Sequence, residues 1–373
     1  MLKYIDGTAV ATNNSGRLFW EGYFTEEISE VVKKIQSNDL GSIRGQYSFL
    51  YLDKTVKHGV SYNLGYPLYT NGVDYSNDPL DLKAKINYEK LYVLLTLLSE
   101  DLVPFDPKYY DCFDNCELVQ TTEELVPLFR TTEEIVKQFL ETIEINTRNK
   151  SIAIMFGDGW DSHAILNACN ILGKKTTLVN VKSKTPTKVK TISEDVILLD
   201  NVCSDVKDYS VHDYNHFNIQ HMYMTSSPLD FDVILRGNDA EIYECHSKFW
   251  QLGYSNTTNV ITRNTTRNSI FELNTYTKWI DPFSNLTITS SILAGNTDLK
   301  NRSLQKMLCQ DTSFISSEDS NDIIDPEIES KQIFDNIRYL KKFNLSNGVI
   351  KTLAQFECGR WTSTLRETLN RYV

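Results

Sequence analysis

Residues 152–166, IAIMFGDGWDSHAIL, hold the groups whose types and spacing point most directly to chemistry. Ile152, Ala153, Ile154, Met155 and Phe156 form a continuous apolar run of the kind that fills a buried parallel strand. Gly157 and Gly159 let the backbone come close to an anion, and Asp161 and Ser162 stand where a helix starts. The unpaired amides and positive dipole end of such a helix attract phosphate. Residues 232–246, DVILRGNDAEIYECH, repeat the grammar: a short apolar strand (Val233, Ile234, Leu235), a turn at Gly237, then Asp239 and Glu241 opening a helix. Acids at a helix start are ordinary capping groups worth about 1 kcal/mol. Lys300, Arg302 and Lys306 follow with helical spacing and could turn two or three cations toward one anionic site, although a solvated helix face carries the same residues.

Several elements must position these groups. The segment 164–171 reads as helix behind the glycine loop, and residues 179–181 end the next strand. Thr131, Thr132, Glu133 and Glu134 form a capped, acidic helix start, and Ile135, Val136, Phe139, Ile143 and Ile145 give an apolar face leading to the strand at 152. Earlier, apolar and polar residues alternate over 47–52, turn at 53–58 and resume at 59–62, which predicts a hairpin. Residues 316–325, SSEDSNDIID, read as an exposed loop, residues 326–343 as a helix, and Asn347-Gly348 as a turn before a final helix.

The spacing G-D-G-W-D-S resembles the S-G-G-x-D-S pyrophosphate loop of the ATP-pyrophosphatase (PP-loop) superfamily. Gly157 stands at its serine and Asp158 at its first glycine, while Gly159, Asp161 and Ser162 keep the remaining pattern around Trp160. Residues 232–246 resemble the G-x-G-A-D-E segment of asparagine synthetase-like enzymes. Residues 279–308 resemble their P-F-L-D segment and the cationic helix after it, with Pro282, Phe283 and Asn285 on the pattern. Residues 40–70 are similar to the glutaminase half of those enzymes, with Leu64, Gly65, Pro67, Leu68 and Tyr69 matching its L-G-x-x-P-L-Y motif with one residue fewer between glycine and proline. A glutamine-hydrolysing member begins with a cysteine whose α-amine is its own base. Here Met1 is followed by Leu2 and the first cysteine is Cys112, as in β-lactam synthetase-type members, whose glutaminase-like half is a scaffold. Residues 111–129 resemble the family's connecting segment.

This resemblance implies a two-domain α/β chain: an N-terminal Ntn-hydrolase-like (glutaminase-like) αββα domain over residues 1–130, then an α/β parallel-sheet ATP-pyrophosphatase (HUP-like) domain over 131–373. It implies an amide ligase that adenylates a carboxylate with ATP, releases pyrophosphate and passes the acyl group to an amine. Mg²⁺ would sit on Asp161 with Asp239 or Glu241, hard oxygens from separate strand ends. Gly157, Gly159 and Ser162 would cradle pyrophosphate, with Phe156, Asp158 and Gly237 lining the site and Val179, Asn180 and Val181 flanking adenine. Lys300 or Arg302 would balance charge on the leaving group. Asp158 would repel the ligand by about 1–4 kcal/mol unless a cation neutralises it. The family's later R-x-K lysine has no counterpart, because residues 307–330 contain neither lysine nor arginine. A catalytically degenerate scaffold that binds a nucleotide or a partner protein is therefore the competing reading. A third, transfer of sulfur or ammonia to a nucleobase, does not explain the glutaminase-like front end.

Composition fits a chain of this kind. At 373 residues two domains are expected, and a net charge of −11 argues against nonspecific nucleic-acid or membrane binding. The local cluster Lys182, Lys184, Lys188 and Lys190 reads as a solvated loop, or as a source of the missing lysine if it closes over nucleotide. His212, His216 and His221 lack an H-E-x-x-H glutamate and any CxxC pair, so surface or pocket histidines are favoured over zinc. Seven scattered cysteines, with only Cys112 and Cys116 close together, suggest reduced thiols. Without a basic start, an apolar leader or a spanning run, a cytoplasmic location is expected. A homo-oligomer is left open, and the acid and amine partners are not named by any motif.

Overall fold

The computed structural model describes residues 2–62, 66–99, 111–123, 126–156, 159–181, 196–199, 231–237, 279–283, 285–309 and, between 337 and 350, all but 339, 344 and 349. They divide into two units, with the chain passing from one to the other between Leu125 and Val126. The described residues from 337 to 350 belong to the first unit, and those from 279 to 309 to the second.

Among the described residues, eleven short strands build the first unit. β1 (Lys3–Ile5), β2 (Thr8–Val10), β3 (Asn13–Ser15) and β4 (Leu18–Phe24) precede helix α1 (Ile28–Gln36). Then come β5 (Gly45–Leu52), β6 (Val56–Val60), β7 (Tyr69–Thr70), β8 (Tyr75–Ser76), β9 (Lys85–Ile86), helix α2 (Tyr88–Ser99), β10 (Phe113–Asp114) and β11 (Glu117–Leu118). Pairing is antiparallel throughout, in a four-stranded sheet β3-β4-β5-β6, a five-stranded sheet β11-β7-β8-β1-β2 and the pair β9-β10. The expected β5-β6 hairpin forms in the register Ser48↔Val60 to Leu52↔Val56, with β6 starting at Val56, inside the turn expected over 53–58.

β5 is buried on both faces, and its side chains sort by parity. Tyr47, Phe49 and Tyr51 pack with Val31 and Ile35 of α1, which lie one turn apart, whereas Leu50 joins a core with Leu2, Tyr69, Leu91, Leu94 and Leu118. Leu340, Leu345 and Ile350 complete that second core. Asn347 and Gly348 lie in a helical turn, with Ile350 N–H donating to Ser346 O at 3.0 Å, and not in the turn expected before a helix. A strap over residues 119–123 ties the sheets together: Val119 N–H donates to Leu68 O, Thr122 N–H to Val60 O, and Tyr62 N–H to Glu123 Oε2, all within 2.8–2.9 Å.

The second unit opens on residues 126–130, laid along α5 (Leu286–Leu293). Leu128 N–H donates to Ser290 O, Arg130 N–H to Ser291 Oγ, and Ser290 Oγ to Val126 O. Helix α3 (Thr132–Thr147) starts with the capping box legible in its sequence, Thr131 Oγ1 accepting from Glu134 N–H at 3.3 Å and Glu134 Oε2 from Thr131 N–H at 2.9 Å. Thr131→Ala is expected to cost about 1 kcal/mol, read as a lower urea midpoint. Ile135, Phe139 and Ile143 form its buried face, and Phe139 meets Phe283 edge-on at 4.9 Å.

The sheet of this unit contains β12 (Ile152–Met155), β13 (Thr177–Val181), β14 (Val196–Leu199), β15 (Val233–Leu235) and β16 (Trp279–Ile280). All are parallel, in the order β14-β13-β12-β15-β16. The chain steps outward from β12 in one direction, then returns to continue from β15 on the other side. Such a reversal opens a crevice at the carboxyl ends of the two central strands. α4 (Trp160–Ile171) leaves β12 at that edge, and α6 (Thr297–Lys300) and α7 (Ser303–Leu308) follow α5, with α7 packed on α3 and α4. Both units together make a mixed α/β chain. Among the described residues no helix is long and apolar enough to cross a membrane.

Candidate functional site

The parallel ladder carries one step past β12, with Phe156 N–H donating to Val179 O at 2.9 Å, so the loop after Phe156 begins at the carboxyl edge. Phe156 is fully buried with its ring 4.8 Å from that of His163. Gly159 caps α4 in an extended conformation, φ −85° and ψ 161°. Its carbonyl accepts from Ser162 Oγ at 3.1 Å and from His163 Nδ1 at 2.9 Å. A carbonyl only accepts, so this contact puts a proton on Nδ1. Those bonds lock the first turn and fix the path by which the loop enters the helix. Gly157 and Asp158 lie outside the described residues.

Asp161, in the first turn of α4, is the group on which the two sequence segments converge. Gly237, two residues past β15, approaches so closely that a Cβ built on it would stand 2.8 Å from Asp161 Cβ and 3.6 Å from Ile165 Cδ1. Only glycine fits there without moving the acid. Asp161 Oδ1 accepts a 3.0 Å hydrogen bond from Gln305 Nε2, and Gln305 is itself buried in α7. The charge of Asp161 also reaches Cys309, whose thiol is pushed up first by burial, against a hydrogen bond with Asn167 and with Asp161 adding to the rise.

Beside this point lies an ion pair that spacing alone did not reveal. Arg236 and Asp281 directly follow β15 and β16, both side chains are almost wholly buried, and Arg236 Nε stands 3.7 Å from Asp281 Oδ2. Asp281 Oδ1 accepts from Phe283 N–H at 3.2 Å, and Arg236 N–H donates to Ile280 O at 3.0 Å. The residue types gave a signal, a charge directly after an apolar strand on each of two neighbouring strands, but the pairing requires knowing that β15 and β16 are adjacent.

The cationic segment differs from its expected form. Arg302 has φ 61°, which ends α6 at Lys300 and starts α7 at Ser303. Lys300, Arg302 and Lys306 therefore do not share one continuous helix face; Lys306 is exposed and Arg302 half-buried. Val179 is buried within β13, Val181 ends that strand, and Asn285 caps α5 through Thr287 N–H at 2.8 Å. Asp239, Glu241, the lysine cluster at 182–190, and His212, His216 and His221 fall outside the described residues, as does the side chain of Lys300. Among the described residues no group of three or more His, Cys, Asp and Glu side chains is placed to hold a metal ion.

In the first unit Leu2 N–H donates to Asn77 Oδ1 at 2.9 Å. Cys112 and Cys116 are free and buried, and burial pushes both thiols up to about 12, which leaves them protonated and poor nucleophiles at neutral pH. No protein-family model matches the chain, and no curated protein matches it.

Proposed function

We propose that the chain is an ATP-dependent, AMP- and pyrophosphate-forming amide ligase of the asparagine synthetase type, acting without glutamine hydrolysis, with nucleotide bound at the carboxyl edge of the parallel sheet in the second unit. The observation that carries this is the meeting of Asp161 and Gly237: the first turn after one central strand and the glycine after its neighbour touch where the strand order reverses. On this reading the second unit is the HUP-like half, and the two antiparallel sheets of the first, with α1 on one face of the β3-β4-β5-β6 sheet, are the glutaminase-like half.

The donor set suits magnesium. Asp161 supplies a hard carboxylate oxygen, and Gly237 leaves that carboxylate the room a side chain would fill. Asp161 with Asp239 and Glu241 would hold Mg²⁺, which when bound would neutralise the phosphates of ATP. The first-turn amides of α4, with Gly157, Gly159 and Ser162, would orient the pyrophosphate. Val179 and Val181 would flank the base, and Lys300 or Arg302 would face the leaving group. Bringing a substrate carboxylate and an amine together at this edge would supply the proximity on which acyl transfer depends.

Calorimetric titration of ATP with and without Mg²⁺ tests the proposal. Magnesium-dependent binding is expected, weakened roughly 10- to 100-fold by Asp161→Asn and likewise by Asp239→Asn, the loss of one charge-assisted contact. Release of AMP and pyrophosphate stimulated by amines would then establish ligation, whereas release that requires RNA would point to base modification. A folded wild-type protein that binds no ATP would overturn it. That result would favour a scaffold that catalyses nothing, a reading to which the break at Arg302 and the acid at Asp158 lend support.

A further inference from the structure

We infer that Gln305 is a positioning residue for Asp161, a neutral donor that fixes the carboxylate while leaving its charge available to a divalent cation. The inference rests on the nucleotide-binding reading above. Gln305 is 1 % exposed on a helix of six residues, and its Nε2 reaches across to α4 to meet Asp161 Oδ1 at 3.0 Å. A buried amide in such a short element has little reason to be there unless its polar atoms are used, because an unsatisfied buried polar group is destabilising.

The type of donor decides the chemistry. A lysine or arginine at this position would also satisfy the carboxylate, but it would neutralise it and compete with a metal. A serine or threonine would be too short to bridge from α7. Glutamine donates one N–H, adds no charge and selects one rotamer of the acid, as outer-shell groups do for ligating carboxylates. Gly237 permits this placement of the same side chain, since a Cβ there would stand 2.8 Å from Asp161 Cβ. Asp161 is thus held by a hydrogen bond from one element in space that the glycine of another leaves open, which is the preorganisation that a ligand site needs.

Gln305→Met keeps the length and removes the donor. Its affinity for ATP in the presence of Mg²⁺, measured by calorimetry, is expected to fall about 10-fold, while ATP binding in EDTA stays at the wild-type value. In an Asp161→Asn background the same substitution should have no further effect on magnesium-dependent binding. Gln305→Leu replaces the methionine variant if that one fails to fold. Wild-type magnesium-dependent affinity in the folded donor-less variant, with Asp161→Asn still weakened, would overturn the positioning role and leave the nucleotide site intact. A loss equal in EDTA and in magnesium would also overturn it, because a general packing defect does not discriminate between the two. Absence of ATP binding to the wild-type protein under both conditions would remove the nucleotide reading and this inference with it.

Discussion

Glu123→Gln is expected to remove most of the loss of stability that the wild-type protein shows between pH 5 and pH 9. Glu123 is 5 % exposed in the strap of the first unit, and burial pushes its carboxyl from 4.5 up to about 8. Hydrogen bonds from the backbone amides of Tyr62 and Gly45 and the charge of Arg44 favour the anion, Glu26 opposes it, and desolvation outweighs them. The sign follows from proton counts. Above pH 4.5 the unfolded chain releases this proton while the native protein retains it to about pH 8, so stability falls as pH rises through that window and levels off beyond it. At 1.36 kcal/mol per pH unit the full effect is roughly 3–5 kcal/mol. Urea midpoints measured from pH 5 to 9 would show a steeper decline in the wild type than in the variant, the difference being the part that Glu123 contributes. Tyr47, raised by its burial and then by Glu123, titrates above this range, and His58, lowered by burial, contributes equally to both proteins. Parallel profiles would show that Glu123 is ionised in the native protein.

Asp281→Ala should cost about 3–5 kcal/mol, because it leaves the Arg236 guanidinium in a buried site without its carboxylate. Replacing both partners, Arg236→Met with Asp281→Leu, is expected to be less damaging than the sum of the single substitutions, since no ion is then left stranded. Urea unfolding of the four proteins in this cycle measures the coupling directly. Additive losses would mean that the two charges, 3.7 Å apart at the carboxyl edge of the sheet, do not depend on one another.

Local order was legible in the sequence where the period or the cap is local. The apolar run at 152–156, the triplet at 233–235, the β5-β6 hairpin and the Thr131 capping box each report on residues a few positions apart, and each forms as its pattern implies. Gly237 was legible as a turn, and the resemblance put it in one site with Asp161, but how closely it approaches that side chain was not legible. Contacts between distant segments carry no spacing signal: Gln305 lies 144 residues from Asp161. The lysine and arginine spacing near residue 300 suggested one helix because 3.6-residue periodicity does not register a single left-handed residue, and Arg302 is that residue. Nothing in the composition of the segment around Leu340 marks it as core for strands near the start of the chain. Its partners there include Leu2 and Leu118.

That last packing arrangement sets an order of events during synthesis. The second unit lies within the chain of the first, so β16 and α7 emerge from the ribosome before Leu340, Leu345 and Ile350. Translation at roughly 5–20 residues per second separates β11 from those three residues by tens of seconds. Through that interval the core around Leu2, Leu50 and Leu118 lacks the side chains of Leu340, Leu345 and Ile350, and it stays incomplete until those residues are made.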